Sequence, residues 1–174
     1  MLTKDQEKWI AHLSTTDKVK IIPYNPEVKK AFNKIKKEIK LILGNKIRVC
    51  HRGATSLKIS GQGEVDLYIP VTTKKFNFFL KKLSLALENP HSLYPLERAR
   101  FIRYAYGIKI EIFLINQSRC GWKDGIAFEN FLKKHPRALE DYRILKEKAD
   151  GESIQNYYRK KIEFINKILN KISP

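Results

Sequence analysis

The segment Glu64-Val-Asp-Leu-Tyr-Ile69 alternates polar and apolar residues, and no other stretch restricts the fold as sharply. Successive side chains of a strand point to opposite faces, so Val65, Leu67 and Ile69 share one face and must meet a core. Glu64 and Asp66 then project together from the other face. A second alternation follows further on. Ile108, Ile110, Ile112 and Leu114 take one side, while Lys109, Glu111 and Phe113 take the other. Tyr106-Gly107 reads as the turn joining this strand to another over Arg100 to Ala105. Glu111 stands alone among isoleucines, on a strand that should neighbour the first. The pattern calls for a sheet with one apolar face and an acidic spot on the other.

Helices supply the rest. From Pro26, the residues Val28, Phe32, Ile35, Ile39 and Ile42 recur at helical spacing until Gly44, which reads as a left-handed C-cap. Ile47 to His51 is rich in β-branched residues and predicts a short buried strand, followed by a glycine-bearing loop over Arg52 to Gly63. Pro70 marks the exit of the carboxylate strand. Phe76, Phe79, Leu80, Leu83 and Leu87 restore helical spacing until Asn89-Pro90 stops it. Three helices close the chain: Gly121 to Lys134, then one opened by Pro136 and capped by Gly151, then one with Tyr158, Ile162, Ile165 and Leu169 on a stripe. The fold class is α/β (α+β), a central mixed sheet flanked by helices with a helical C-terminal tail. A chain of 174 residues fits one domain. It divides into an N-terminal helix (1–17), a sheet-containing core (18–118) and the tail (119–174).

Composition narrows the partners. Thirty-five Lys and Arg against eighteen Asp and Glu leave a net charge of +17, which favours polyanions such as nucleotides or RNA. Helices that simply keep solvated lysine faces would give the same excess. No apolar run approaches the roughly 20 residues that a membrane-spanning helix needs. Met1 to Ser14 reads as an amphipathic helix without the h-region of a signal peptide. No membrane partner is expected, and cytoplasm is the default location. Cys50, Cys120 and the four histidines show no zinc-site spacing.

The chemistry concentrates in His51-Arg-Gly-Ala-Thr-Ser56 and Gly63-Glu-Val-Asp-Leu67. A small-residue turn can bring backbone amides to phosphates, and two carboxylates at i and i+2 can hold hard cations through oxygen. Polar residues alternating along a strand also commonly face nothing but solvent. The spacing Gly53-Ala54, then nine residues, then Glu64-Val-Asp66-Leu resembles the signature of the nucleotidyltransferase superfamily related to DNA polymerase β. More narrowly, the chain resembles the GrpB family from about residue 18 to 170. The resemblance is carried by Ile21-Ile-Pro-Tyr-Asn-Pro26, His51-x-Gly53-x-Thr55-Ser56, Phe128-Glu-Asn-Phe-Leu132 with His135-Pro136, Tyr142-x-x-x-Lys146, and Tyr157-x-x-x-Lys161-x-x-Phe164-Ile165.

That resemblance implies a nucleotidyltransferase-like fold, with Glu64, Asp66 and Glu111 as catalytic metal ligands for Mg²⁺ or Mn²⁺. It implies a nucleoside triphosphate beside Gly53, with Thr55 and Ser56 near the phosphates. Ala54 departs from the superfamily's usual Ser or Gly and removes one hydroxyl there. Arg98, Arg100 and Arg103, just before the Glu111 strand, are candidate phosphate ligands, because arginine binds phosphate through a planar fork. Lys146 and Lys161 each follow a tyrosine at i+4 and offer a stacking-plus-phosphate pair, or else a core tyrosine with a snorkelling lysine. The expected activity is transfer of a nucleoside monophosphate to an unknown hydroxyl. The alternatives are a non-catalytic nucleotide- or RNA-binding module, and an accessory domain linked to CoA biosynthesis, the last suggested by family members fused to dephospho-CoA kinase.

Overall fold

In the computed structural model, which describes residues 1–172, both alternating segments lie at the centre of one sheet. The strands are β1 (Cys50–Arg52), β2 (Val65–Val71), β3 (Ser92–Tyr94), β4 (Arg98–Ala105) and β5 (Ile108–Asn116), in the order β1-β2-β5-β4-β3. β2 and β5 run parallel, and the other neighbours run antiparallel. The sheet is therefore mixed. β4 and β5 join through Tyr106 and Gly107, with φ of 53° and 72°, the paired positive values of a two-residue hairpin turn.

The chain forms two compact units. The unit of Asn25–Lys58 and Gly63–Lys123 holds the sheet, with helices α2 (Val28–Leu43) and α4 (Thr73–Leu87) and a single turn α3 (Gly53–Ser56). One sheet face carries Val65, Leu67, Ile69, Ile110, Ile112, Leu114, Ala99 and Phe101, all buried. α2 and α4 cover it with Val28, Ala31, Phe32, Ile35, Ile39 and Leu43, and with Phe76, Leu83 and Leu87. Each such side chain larger than alanine contributes roughly 1.5 to 3 kcal/mol of transfer free energy, and this burial holds the sheet to its helices. Leu43 rather than Ile42 ends the buried stripe of α2.

Three local expectations change. Ile47 to His51 predicts a strand, but Ile47 donates its N–H to Gly44 O at 3.1 Å, and that turn delays β1 until Cys50. Pro70 predicts the exit of β2, yet the strand continues through Pro70 opposite Ile115 to Val71. β1 covers only Asp66 to Tyr68, so beyond Tyr68 one side of β2 is open and a residue without an N–H is tolerated. The loop over Arg52 to Gly63 contains the helical turn α3.

The second unit comprises Met1–Tyr24, Ile59–Gln62 and the chain from Asp124 onward. It contains α1 (Lys4–Ala11), most of α5 (Cys120–Lys134), α6 (Pro136–Lys148) and α7 (Ile154–Ile172). Thr3 caps α1 through a reciprocal box with Gln6. Val19, Ala149 and Tyr157 form a core cluster, and Phe128, Tyr142 and Phe164 form a ring stack. Tyr157 and Ile168 are the buried residues of α7, so its inner face is turned about one residue from the Tyr158 stripe read from the sequence. Among the described residues no helix is long and apolar enough to cross a membrane.

Asn116 is the polar hinge of the sheet unit. It is 1% exposed, and its amide donates to Thr73 Oγ1 at 2.9 Å and to Leu96 O at 2.8 Å, while its Oδ1 accepts from Ser118 N at 3.0 Å. One side chain thus ties the end of β5 to the start of α4 and to the β3–β4 turn. Asn116→Ala removes three hydrogen bonds made by a buried side chain, a loss of roughly 1 to 3 kcal/mol. Urea unfolding should show a lower midpoint with an unchanged slope, and an unchanged midpoint would contradict this role.

Candidate functional site

The parallel register of β2 and β5 sets Asp66 opposite Glu111, and the antiparallel register of β1 and β2 sets Arg52 opposite Asp66. Directly paired residues share a sheet face, so all three lie on the face away from α2 and α4. Glu64 precedes β2 by one residue and completes the group. One carboxylate oxygen from each of Glu64, Asp66 and Glu111 lies within 4.8 Å of the others. Glu111 is buried, and Glu64 and Asp66 are half-buried. Three oxygen donors without nitrogen or sulfur are the chemistry that a hard divalent cation takes.

Gly53 fits against this cluster. Its φ is +72°, and a Cβ built there would stand 1.9 Å from Asp66 Oδ2. The turn after β1 therefore runs hard against the carboxylate, and only a residue without a side chain allows it. Thr55 and Ser56 sit in the same turn with their hydroxyls turned inward. Thr55 Oγ1 donates to Glu64 O at 3.3 Å and lies 2.9 Å from His51 Nε2. A hydroxyl with one proton serves both only if His51 donates, so this pairing puts a proton on Nε2. Ser56 Oγ donates to Gly53 O at 2.8 Å. Both hydroxyls brace the turn, and Ala54 contributes none.

Basic residues complete the arrangement, though not as the sequence groups them. Arg100 donates to Glu111 Oε1 at 3.1 Å and lies 2.9 Å from His91 Nδ1. Arg98 stands two positions further along the same face, over the rings of Tyr94 and Phe113 at 4.9 and 5.9 Å. Arg103 does not join them. It lies three residues from Arg100, an odd step that turns it to the opposite face, where it donates to Ala86 O of α4 at 3.3 Å. Lys146 and Lys161 belong to the helical unit. There Lys146 is buried and donates to Tyr157 Oη at 2.9 Å, and Lys161 lies 5.0 Å from the Tyr158 ring.

Sequence reasoning overlooks one residue of consequence. Lys109 Nζ donates to Glu64 Oε2 and to Glu111 Oε1, each at 2.9 Å, and so bridges two of the three carboxylates. The signal was available, since Lys109 and Glu111 are two apart on one strand and must share a face. Burial alone would lower the Lys109 pKa, but hydrogen bonds to Glu64 and Glu111 together with their charges outweigh it and hold it above the ordinary lysine range. Lys109 is therefore a fixed positive charge at any ordinary pH. Arg52 is also buried, stacked over Trp122 and Tyr68 at 5.0 and 5.5 Å. Tyr68 in turn stacks on Phe113 at 4.6 Å, so cations and rings alternate across this face next to the carboxylates.

The profile of the family described as GrpB protein matches residues 18–171. The chain belongs to the GrpB family. That family lies within the nucleotidyltransferase-like superfamily. The chain is 23% identical over 163 residues to the UPF0157 protein YqkA of Bacillus subtilis, a match covering 90% of this chain and 48% of YqkA. It thus spans about half the length of that relative. Its fold is similar to the crystal structure of conserved protein GrpB from Enterococcus faecalis, with a TM-score of 0.67 at 21% identity, covering 87% of this chain and 95% of the other.

The contact between Gly53 and Asp66 can be isolated by comparison with Gly107. Both glycines have φ of +72°, but a Cβ at Gly107 meets nothing within 4 Å. Gly107→Ala should cost only the left-handed penalty of about 1 to 2 kcal/mol. Gly53→Ala should cost about 1 to 3 kcal/mol more, because the turn or Asp66 must move. Equal unfolding free energies for the two variants would show that the turn does not press on the carboxylate.

Proposed function

We propose that this GrpB-family chain transfers a nucleoside monophosphate from a nucleoside triphosphate to a hydroxyl acceptor, with Glu64, Asp66 and Glu111 holding the Mg²⁺ or Mn²⁺ that the reaction uses. The observation behind this reading is the convergence of three carboxylates from neighbouring strands within 4.8 Å, beside a turn that Gly53 keeps clear of side chain. The donor set fits hard cations, which when bound neutralise phosphate charge and stabilise the attacking and leaving oxygens.

The chain's own residues do the rest. Glu111 is the buried member of the cluster and takes the proton of the acceptor hydroxyl. The hydroxyl oxygen forms a bond to the α-phosphorus as the bond to the bridging oxygen breaks, and pyrophosphate leaves with that electron pair. Arg100 keeps Glu111 in position. Arg98, on the same face, presents its fork to the phosphate tail. The net charge of +17 favours a polyanionic acceptor such as an RNA end, and a small metabolite or a protein side chain would serve the same chemistry.

A second reading, a nucleotide- or RNA-binding module without catalysis, draws on a different observation. The hydroxyls of Thr55 and Ser56 are committed within the turn, and Ala54 supplies none for a phosphate.

Incubation with labelled nucleoside triphosphates, Mg²⁺ or Mn²⁺, and RNA or small hydroxyl acceptors tests the first reading. Incorporation should appear with the natural chain and fall by about a hundredfold or more in Asp66→Asn, with the unfolding midpoint retained. Thermal stabilisation by nucleotide without incorporation would select the binding module. Absence of both effects would overturn the two readings together.

A further inference from the structure

We propose that Lys109 is a built-in counter-cation which occupies the carboxylate site and must swing away before a divalent ion can enter. The inference rests on the metal-site reading above and deepens it. Lys109 Nζ bonds to one oxygen of Glu64 and one of Glu111, each at 2.9 Å. These are two of the three side chains that a metal would need. With oxygen–metal distances of about 2.1 Å, an ion sharing those oxygens would sit within about 4 Å of the ammonium. A dication and an ammonium at that distance repel strongly in a half-buried site. The two cations are therefore alternatives.

The lysine stem makes the exchange feasible. Lys109 remains 36% exposed, and its partners Glu64 and Glu111 are 21% and 8% exposed. The ammonium can thus leave along a flexible stem toward water while the carboxylates stay. Glu111 retains Arg100 throughout. Once displaced, the Lys109 charge stands beside the site with no carboxylate to face. The group that satisfies it best is a phosphate oxygen. Metal and a phosphate-bearing ligand should then bind cooperatively, each favouring the lysine position that the other needs, and the coupling must be reciprocal.

The test compares the natural chain with Lys109→Met, which keeps the apolar stem, and Lys109→Arg, which keeps the charge. Mn²⁺ is titrated alone, with free ion counted by paramagnetic resonance, and then with a non-hydrolysable nucleoside triphosphate. Lys109→Met should bind Mn²⁺ alone at least tenfold more tightly than the natural chain, and Lys109→Arg should not. Nucleotide should tighten Mn²⁺ binding in the natural chain more than in Lys109→Met. Measurable Mn²⁺ binding of equal strength in the natural chain and Lys109→Met would overturn the inference and leave the metal reading intact. No binding in any form would remove both. A measurement without substitution covers a variant that fails to fold. In chain labelled with ¹⁵N-lysine, the Lys109 Nζ signal, slowed in exchange while two carboxylates hold it, should be lost at saturating Mg²⁺. A signal unchanged at saturation would equally overturn the exchange.

Discussion

The parallel pairing of β2 with β5 is the constraint on which the candidate site depends. It sets Asp66 beside Glu111 in register, and it does so because each strand has a single apolar face to bury under α2 and α4. A one-residue slip would turn the carboxylates into the core and the isoleucines to the outside. Burial of Val65, Leu67, Ile110 and Ile112 thus fixes the positions of acids that gain nothing from burial themselves. Hydrophobic packing on one face positions the chemistry on the other.

Like charges gathered this closely repel, and the structure contains the compensation. Lys109 and Arg100 supply cations to Glu64 and Glu111. Asp66 lies against the backbone at Gly53, opposite the buried Arg52. Without a metal, the cluster is therefore held by ordinary hydrogen bonds and ion pairs, which is why the sheet face can carry three acids without losing its fold. The same contacts explain why Thr55 and Ser56 look inward: the turn that approaches Asp66 needs its own bracing.

Much of this was legible in the sequence, for a definite reason. Period-2 alternation states directly which residues share a face, so the strands around Asp66 and Glu111 and the face each acid takes follow from it, while the mixed sheet and the gathering of the acids are what the family resemblance adds. Arg103 is close in the chain to Arg98 and Arg100, but the same parity turns it to the α4 side of the sheet. Lys109 is visible on the acidic face, but its partnership with Glu64 depends on the β2–β5 register, a tertiary fact. The short strand β3 carries no periodic signal over three residues, and β1 was shifted by a turn at Gly44–Ile47 that composition alone does not locate. For α7, a stripe of half-buried isoleucines outweighed Tyr157, whose burial comes from packing against Val19 and Ala149.

The connection between the site's two halves also carries a consequence for synthesis. Glu64 and Lys109 meet across 45 residues of chain, because parallel neighbours require a long crossover and this one passes through α4, β3 and β4. A nascent chain that has emerged only as far as α4 holds Glu64 and Asp66 beside the short β1 alone, with the β5 partner of β2 not yet made. That strand edge is open and its apolar face is only partly covered, a state prone to pairing with other chains. Contacts so distant in sequence also form slowly. The acidic centre should therefore be among the last parts of the sheet unit to take shape, after the local β4–β5 hairpin has closed at Tyr106-Gly107 and offered β2 the edge it needs.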